Sequence, residues 1–292
     1  MPNIYAHWRF GDKCIEKLPE NLQQIINNNR EIFDYGVHGP DIFFYFNCLK
    51  HNYVNQFGTD MHNIPFIDTL KKIKPLYDRM LEKDEALAYL IGFTAHFALD
   101  GYCHSYIERK EEATNEERSR ASHGKIETQF DKYLLRKDGL NPFKTKVTNT
   151  LKPSKKIARV ISKIFPTWDE DIIYKTLKDQ KKYVALLKDT NACKRLLITS
   201  FVNMANVPYY KDLMYTTNEY PEIEDAMLRL DKLFDKALEH LPWLVDSLVS
   251  YLDKNVALDP FFKHDFSVRK DYKNIPILSL DSEKNYIVDI LD

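Results

Sequence analysis

Hydrophobic positions recur at helical spacing along much of the chain. Residues 16–33 carry leucine, isoleucine and phenylalanine about three or four positions apart, and residues 64–82 repeat the pattern. Both stretches therefore predict amphipathic helices. Between them the sequence YGVHGPDIFFYF contains Gly36, Gly39 and Pro40, which should interrupt helical structure.

The next predicted helix is apolar on almost every face. Asp84 can cap a helix that runs to about Arg109, and its middle reads AYLIGFTAHFALDGYC. Because no face of this segment is polar throughout, we expect a central, buried helix. Ser122 predicts the cap of a further helix from His123 to about Leu135.

The second half of the chain is also predicted to be mainly helical. A loop or weak helix is expected over 141–156, and helices over 170–188, 191–206 and 222–254. Pro242 should kink or split the last of these helices. The tail from Asp259 includes the β-prone run IPILSL and should be partly extended.

These patterns predict an all-α fold. The expected organisation is a single multi-helix domain over residues 1–258, with a C-terminal extension over 259–292 packed on it.

Composition fits a globular protein and narrows the range of partners. The 292 residues are 44% hydrophobic and 29% charged, which is enough for a substantial core. The net charge of -1 creates no global field that would attract nucleic acid or anionic lipid. One local basic patch remains as a candidate: Lys152, Lys155, Lys156 and Arg159.

Cysteine usage and hydropathy favour a cytoplasmic protein. Cys14, Cys48, Cys103 and Cys193 form no CxxC pair, so we expect free thiols in a reducing compartment. No apolar run reaches the ~18 residues of a membrane span. The first residues, MPNIYAHWRFGDK, lack the apolar core of a signal peptide.

A row of polar residues interrupts the apolar central helix. His96, Asp100 and His104 are four residues apart, so they share one helical face. A buried carboxylate needs a partner, and the segment GFTAHFALDGYCHSYI offers Asp100 no lysine or arginine. A metal cation would be that partner, although a single buried histidine is more often a hydrogen-bonded core residue.

A second row follows on the next predicted helix. His123 and Glu127 are again four apart, and imidazole with carboxylate suits zinc. Asp131, one turn later, could orient a ligand from behind. Alone, such a pair would usually be solvated, but two rows on two helices are typical of a metal site in a helical bundle.

The chain resembles the zinc-dependent phospholipase C family, whose fold is shared by the single-strand-specific zinc nucleases. The resemblance rests on IYAHWRFG, GPDI, GTDMHN, GFTAHFALDGYCH and HGKIETQFD, which follow one another in the family's order within residues 1–135. Beyond residue 140 it is limited to helical character.

The resemblance implies two or three zinc ions. One ligand set would be Asp41, His62, His96 and Asp100, and another would be His104, His123 and Glu127. A third ion would take His7 and share Asp100 as a bridge. In the family the terminal residue completes this third set, and Pro2 is the candidate here once Met1 is removed.

Other residues near these motifs have weaker roles. His38 lies beside Asp41 and is a candidate substrate contact. Ile42 stands where secreted phospholipases have an aromatic residue, so headgroup recognition does not carry over. The remaining histidines are His51, a weaker alternative to His62, and His240 and His264, which should be surface or structural.

The implied activity is hydrolysis of a phosphodiester by zinc-activated water, with phospholipid as the implied substrate. Asp41, as ligand or nearby base, would orient the attacking water. Three alternatives remain open. A nuclease would need a basic groove with stacking aromatics, a soluble phosphodiester could replace the lipid, and zinc could instead only stabilise the fold.

Overall fold

The chain forms a bundle of helices around a central one. The computed structural model describes residues 4–116, 122–188, 192–204, 212–218, 220–267 and 269–288. Its α-helices are α1 (Ile4–Ile15), α2 (Glu20–Asn28), α3 (Arg30–Gly36), α4 (Tyr53–His62), α5 (Phe66–Arg79), α6 (Lys83–Glu116), α7 (His123–Lys137), α8 (Lys155–Ile164), α9 (Glu170–Leu187), α10 (Ala192–Met204), α11 (Glu224–Lys254) and α12 (Leu280–Asn285). The 3₁₀ turns are Gly39–Tyr45, Val147–Thr150, Pro221–Ile223, Pro260–Lys263 and Tyr272–Asn274. The described residues contain no strand, which confirms the predicted all-α class.

Helix α6 is the centre of the core, as its apolar sequence predicts. It is 34 residues long, nearly every residue in its middle is buried, and α3 and α11 make its most extensive contacts. The backbones of α3 and α6 touch, because a Cβ added at Gly92 would lie 2.7 Å from the Phe33 carbonyl oxygen. This close approach fixes the end of α3, from which the chain turns at Gly39 against His96.

The predicted continuous helix over 16–33 is wrong. Two helices, α2 and α3, occupy this region, and Asn29 separates them with a φ of -125°. Pro19 immediately precedes α2. Proline has no backbone N–H, so a helix from the preceding residues does not continue through it. Helix α5 lies within the predicted range 64–82.

Helix α1 is an element that the hydrophobic pattern did not predict. Its first turn is bound by a distant carboxylate: Asp131 Oδ1 accepts from the Ala6 N–H at 2.9 Å, across 125 residues of sequence. A cap from so far away leaves no local signal. Helices α4 and α8 also lay outside the prediction, although Asn52 and Ser154 cap them locally.

Pro242 was predicted to kink or split helix α11; the helix is continuous through it, so the split is wrong and the kink stays a prediction. The proline removes one helical hydrogen bond, but the helix around it is anchored by apolar burial. Leu241, Leu244 and Leu248 are fully buried on its inner face. Helices α9, α10 and α11 lie within two residues of their predicted bounds.

The tail after Asp259 enters the core instead of only covering the surface. Phe262 and Phe266 are fully buried, and Phe266 packs against Phe93 with ring centroids 5.7 Å apart. A fully buried pair, Arg229 with Glu283, joins α11 to α12 through a 2.9 Å hydrogen bond. The division of the chain at residue 258 stays a prediction.

All four cysteines are free; Cys14 and Cys103 are buried and Cys193 is exposed. Among the described helices, none combines the length and apolar character needed to cross a membrane.

Candidate metal centre

Asp100 lies at the centre of a cluster of histidines. Its Oδ2 is 3.0 Å from His96 Nε2, and its Oδ1 is 3.2 Å from His7 Nε2 and 3.6 Å from His104 Nε2. The 4-residue spacing on α6 explains the contacts to His96 and His104. Helix α1 brings His7, whose ring stacks on His96 with centroids 4.2 Å apart.

A second group forms where the 3₁₀ turn Gly39–Tyr45 meets α4. Asp41 in this turn is buried, and its Oδ1 is 3.2 Å from Nε2 of His62, the last residue of α4. Ligand atoms of Asp41, His62 and His96 all lie within 4.8 Å of one another. His96 therefore faces both this group and Asp100.

A third group joins α6 to α7. Ser122 caps α7 as predicted, since its Oγ accepts from the Lys125 N–H at 3.3 Å. Glu127 Oε1 lies 3.0 Å from His123 Nε2 and 3.7 Å from His104 Nε2. All eight predicted ligands thus converge on one region, in three overlapping groups.

The ring orientations of three histidines are fixed from behind by main-chain carbonyls. His62 Nδ1 lies 2.7 Å from the carbonyl oxygen of Gly58. His96 Nδ1 lies 3.3 Å from that of Val37, and His104 Nδ1 lies 2.6 Å from that of Phe266. A carbonyl accepts only from a protonated nitrogen, so each Nε2 keeps its lone pair for a ligand.

Gly39 allows the turn to press against His96. Its φ is +47°, and a Cβ there would lie 2.4 Å from His96 Cδ2. Both the backbone conformation and the space therefore require glycine.

The buried charges favour a cationic partner. Burial alone would raise the pKa of Asp100, but His104, His96 and His7 hold that pKa well below its usual range. For His123 the signs are reversed: burial alone would lower its pKa, but the carboxylates of Glu127 and Glu108 raise that pKa to about 9. Carboxylates kept ionised beside imidazoles are the donors that zinc binds.

Several buried polar atoms of the cluster lack a hydrogen-bond partner. They are His7 Nδ1, His96 Nε2 and Glu127 Oε2. His96 Nε2 lies near Asp100 without the angle of a hydrogen bond. Buried polar atoms are rarely left unpaired, so these positions fit residues that hold a metal ion.

His38 and Asp131, the residues predicted to support the ligands or contact substrate, lie in different places. His38 is fully buried, neither ring nitrogen has a hydrogen-bond partner, and burial lowers its pKa to about 3. Asp131 bonds the start of α1, the Lys188 ammonium at 3.1 Å and the Tyr215 hydroxyl at 2.9 Å, with no described bond to a histidine ring. It therefore positions the helix that carries His7. Pro2 lies outside the described residues.

The other histidines lie outside the cluster. His51 pairs with Gln56 at the surface, and His240 Nδ1 is 3.1 Å from the Tyr102 hydroxyl. His264 packs against Phe261.

Sequence reasoning missed two acidic residues at the edge of the cluster. Ligand atoms of Glu108, Glu111 and His123 lie within 4.8 Å of one another. Glu108 continues the four-residue row after His104, so the spacing contained this signal.

Three histidines of the cluster are partly exposed to solvent. The side chains of His62, His104 and His123 are 13%, 14% and 29% exposed, whereas that of Glu127 is only 6% exposed. Three cavities, of about 360, 470 and 370 Å³, are lined by residues outside the cluster.

The candidate basic patch is neutralised by acidic partners. The pairs are Lys152 with Glu31, Lys155 with Asp171, Lys156 with Glu85 and Arg159 with Glu170, at 3.0 to 3.6 Å.

Comparison with known proteins gives a family match. A family model described as zinc dependent phospholipase C matches residues 6–187, which include all eight predicted ligands and continue beyond the motifs. No curated protein and no solved structure matches the chain. Because the family model covers more than half of the 292 residues, the chain belongs to the zinc-dependent phospholipase C family.

Proposed function

We propose that this protein is a zinc-dependent hydrolase of phosphodiester bonds with phospholipase C-like activity. The observation that carries the proposal is the position of Asp100, whose carboxylate lies within 3.6 Å of the Nε2 atoms of His7, His96 and His104. A carboxylate surrounded in this way is suited to bridge two ions.

The proposed ligands fall into three sets, two of which share Asp100. They are Asp41, His62, His96 and Asp100; His104, His123 and Glu127; and His7 with Asp100. Pro2 is the proposed terminal ligand of the third set, so the number of ions is two or three. When bound, zinc supplies Lewis acidity that lowers the pKa of water and neutralises phosphate oxygens.

The protein's own groups would orient the reactants. Asp41 Oδ1 is the proposed proton acceptor for the attacking water, and His62 beside it fixes its direction. Buried His38 stays neutral at physiological pH, because its pKa is about 3. Because its ring is also fully buried, its proposed role is to support the ligands from behind without adding a charge.

Two features favour an enzyme over the alternatives. The side chains of His62, His104 and His123 are partly exposed, whereas a purely structural zinc would be enclosed by protein ligands. The paired lysines of 152–156 and the net charge of -1 give little support for a nucleic-acid groove.

The test is a substrate screen on purified protein with measured zinc content. Protein stripped with a chelator and protein reloaded with zinc would be assayed with mixed phospholipid vesicles, a soluble aryl phosphodiester and single-stranded DNA. We expect zinc-dependent release of a phosphorylated headgroup. Fully loaded protein that cleaves none of these substrates would contradict the proposal and favour a structural role for zinc.

A pair of histidine variants provides the matched control. His62→Ala removes a proposed ligand and should lower hydrolysis by at least about 100-fold, more than loss of a supporting residue does. His51→Ala removes an exposed histidine bonded to Gln56 and should keep full activity. Equal activity of the two variants would exclude His62 from the site.

A further inference from the structure

His123 differs from the other histidines of the cluster in what lies behind its ring. His62, His96 and His104 have Nδ1 paired with a main-chain carbonyl oxygen. Nδ1 of His123 faces the Glu108 carboxylate instead, with Oε2 at 3.8 Å. Both nitrogens of this ring therefore face carboxylates, since Nε2 lies 3.0 Å from Glu127.

The 3.8 Å separation is too long for a hydrogen bond but suits two ligands of one ion. Atoms about 2.1 Å from a shared ion in tetrahedral geometry lie about 3.4 Å apart. Two ligands already proposed for one ion show a similar separation: His104 Nε2 and Glu127 Oε1 are 3.7 Å apart. Glu111 supplies a third ligand atom, a carboxylate oxygen within 4.8 Å of the ligand atoms of Glu108 and His123.

The group Glu108, Glu111 and His123, here called the outer group, is also more accessible than the inner set of His104, His123 and Glu127. The side chain of Glu108 is 36% exposed and that of His123 is 29% exposed, against 6% for Glu127. A cation arriving from solvent on this side would meet Glu108 and His123 before Glu127.

From these observations we infer that Glu108, Glu111 and His123 Nδ1 form an outer zinc site, which inhibits the enzyme when zinc is in excess. The inference rests on the proposed function, because it assigns His123 to two competing sites. A neutral imidazole has one lone pair, so it binds one ion at a time. If Nδ1 bound the outer ion, the ring proton would have to leave Nδ1 for Nε2, and Nε2 would then donate it in a hydrogen bond to Glu127 Oε1.

The inner ion would then lose His123 but keep the other ligands of its set. Glu127 Oε2 has no hydrogen-bond partner, so it remains free for that ion while Oε1 accepts from His123. Excess zinc should therefore add one equivalent to the protein and lower activity over the same concentration range.

The experiment measures both quantities on the full chain. Zinc bound after equilibrium dialysis would be counted by mass spectrometry, from equimolar to large excess, and headgroup release assayed in the same samples. We expect wild type to bind one further, weaker equivalent as activity falls by at least about tenfold. The double variant Glu108→Gln, Glu111→Gln should lose both effects.

Glu112→Gln is the matched control. It removes a neighbouring carboxylate on α6 that accepts a hydrogen bond from Tyr272 outside the outer group, so it should behave as wild type. An extra equivalent that persists in the double variant, or its absence from wild type, would overturn the inference. Loss of tightly bound zinc from the double variant would also overturn it, since Glu108 would then support the inner site. If wild type held no tightly bound zinc, the proposed function would be contradicted instead. The weakly bound zinc is measured separately, so the two failures can be told apart.

Discussion

Asp131 Oδ1 accepts a hydrogen bond from the Ala6 N–H at 2.9 Å, one residue before His7. The same carboxylate binds the ammonium of Lys188 at 3.1 Å, and both side chains are almost fully buried. One residue of α7 therefore fixes the position of α1, and α1 carries His7 to Asp100.

Replacing Asp131 should destabilise the protein strongly. Asp131→Ala leaves the Lys188 charge buried without this partner, which typically costs about 3–5 kcal/mol. Urea unfolding should show a loss of that size, together with reduced zinc content. Asp68→Ala is the control, because its pair with Lys71 is half exposed and should contribute only about 0–1 kcal/mol. Similar losses in both variants would contradict the anchoring role of Asp131.

Gly39→Ala should be more harmful than Gly139→Ala. Both glycines have positive φ, +47° and +72°, so each alanine costs about 1–2 kcal/mol of backbone energy. Only at Gly39 would the new Cβ also meet His96, at 2.4 Å, whereas Gly139 has open space. We expect Gly39→Ala to lose additional stability and zinc, measured by thermal unfolding and metal analysis. A Gly139→Ala variant that is equally impaired would show that the collision with His96 is unimportant.

The ligands on α6 and α7 could be predicted because their signal is local. A carboxylate between two histidines at four-residue spacing marks one buried face, and this is how His96, Asp100 and His104 meet. Asp41 and His62 have no such spacing, and only their motifs indicated them. Their meeting at 3.2 Å depends on how the turn and α4 pack.

Other features depend on contacts that no local pattern contains. Helix α1 is held by Asp131, and His104 is oriented by the carbonyl of Phe266 from the C-terminal tail, 162 residues away. The tail was predicted to pack on the surface because its prolines and its β-prone run indicate extended chain, and no periodic pattern marks Phe262 and Phe266 as core residues. These phenylalanines are buried by tertiary packing against α5 and α6.

Asp34 should make stability fall as pH rises through the mildly acidic range. Burial raises the pKa of Asp34 to about 6, although Arg30 beside it opposes the shift. In the unfolded chain the pKa is about 3.9. Between about pH 4 and pH 6 the folded protein keeps a proton that the unfolded chain has released, so the free energy of unfolding decreases.

The measurement is urea unfolding at about pH 4 and pH 6.5 for wild type and Asp34→Asn. Relative to the variant, wild type should lose up to about 3 kcal/mol over this range. Asp12→Asn is the control, because it removes the other carboxylate bonded to Arg30 but lies at a side chain that is 45% exposed. Parallel pH profiles for wild type and Asp34→Asn would show that folding does not shift the pKa of Asp34.

Asp100→Asn should impair the enzyme more than Glu127→Gln. Asp100 is the proposed bridge between two ions, whereas Glu127 belongs to one set. An amide keeps the size of the side chain but removes the charge, so losing the bridge disturbs two ions at once.

We expect Asp100→Asn to lower headgroup release by about 10²–10³-fold and to lose more than one zinc, and Glu127→Gln to have about a tenfold smaller effect. Zinc content by mass spectrometry and activity at saturating substrate would be measured on the same samples. Asp246→Asn, an exposed aspartate on α11, controls for the loss of one negative charge. Equal residual activity and equal zinc content in the Asp100 and Glu127 variants would exclude the bridging role. Loss of zinc from both without loss of activity would exclude zinc from the reaction altogether.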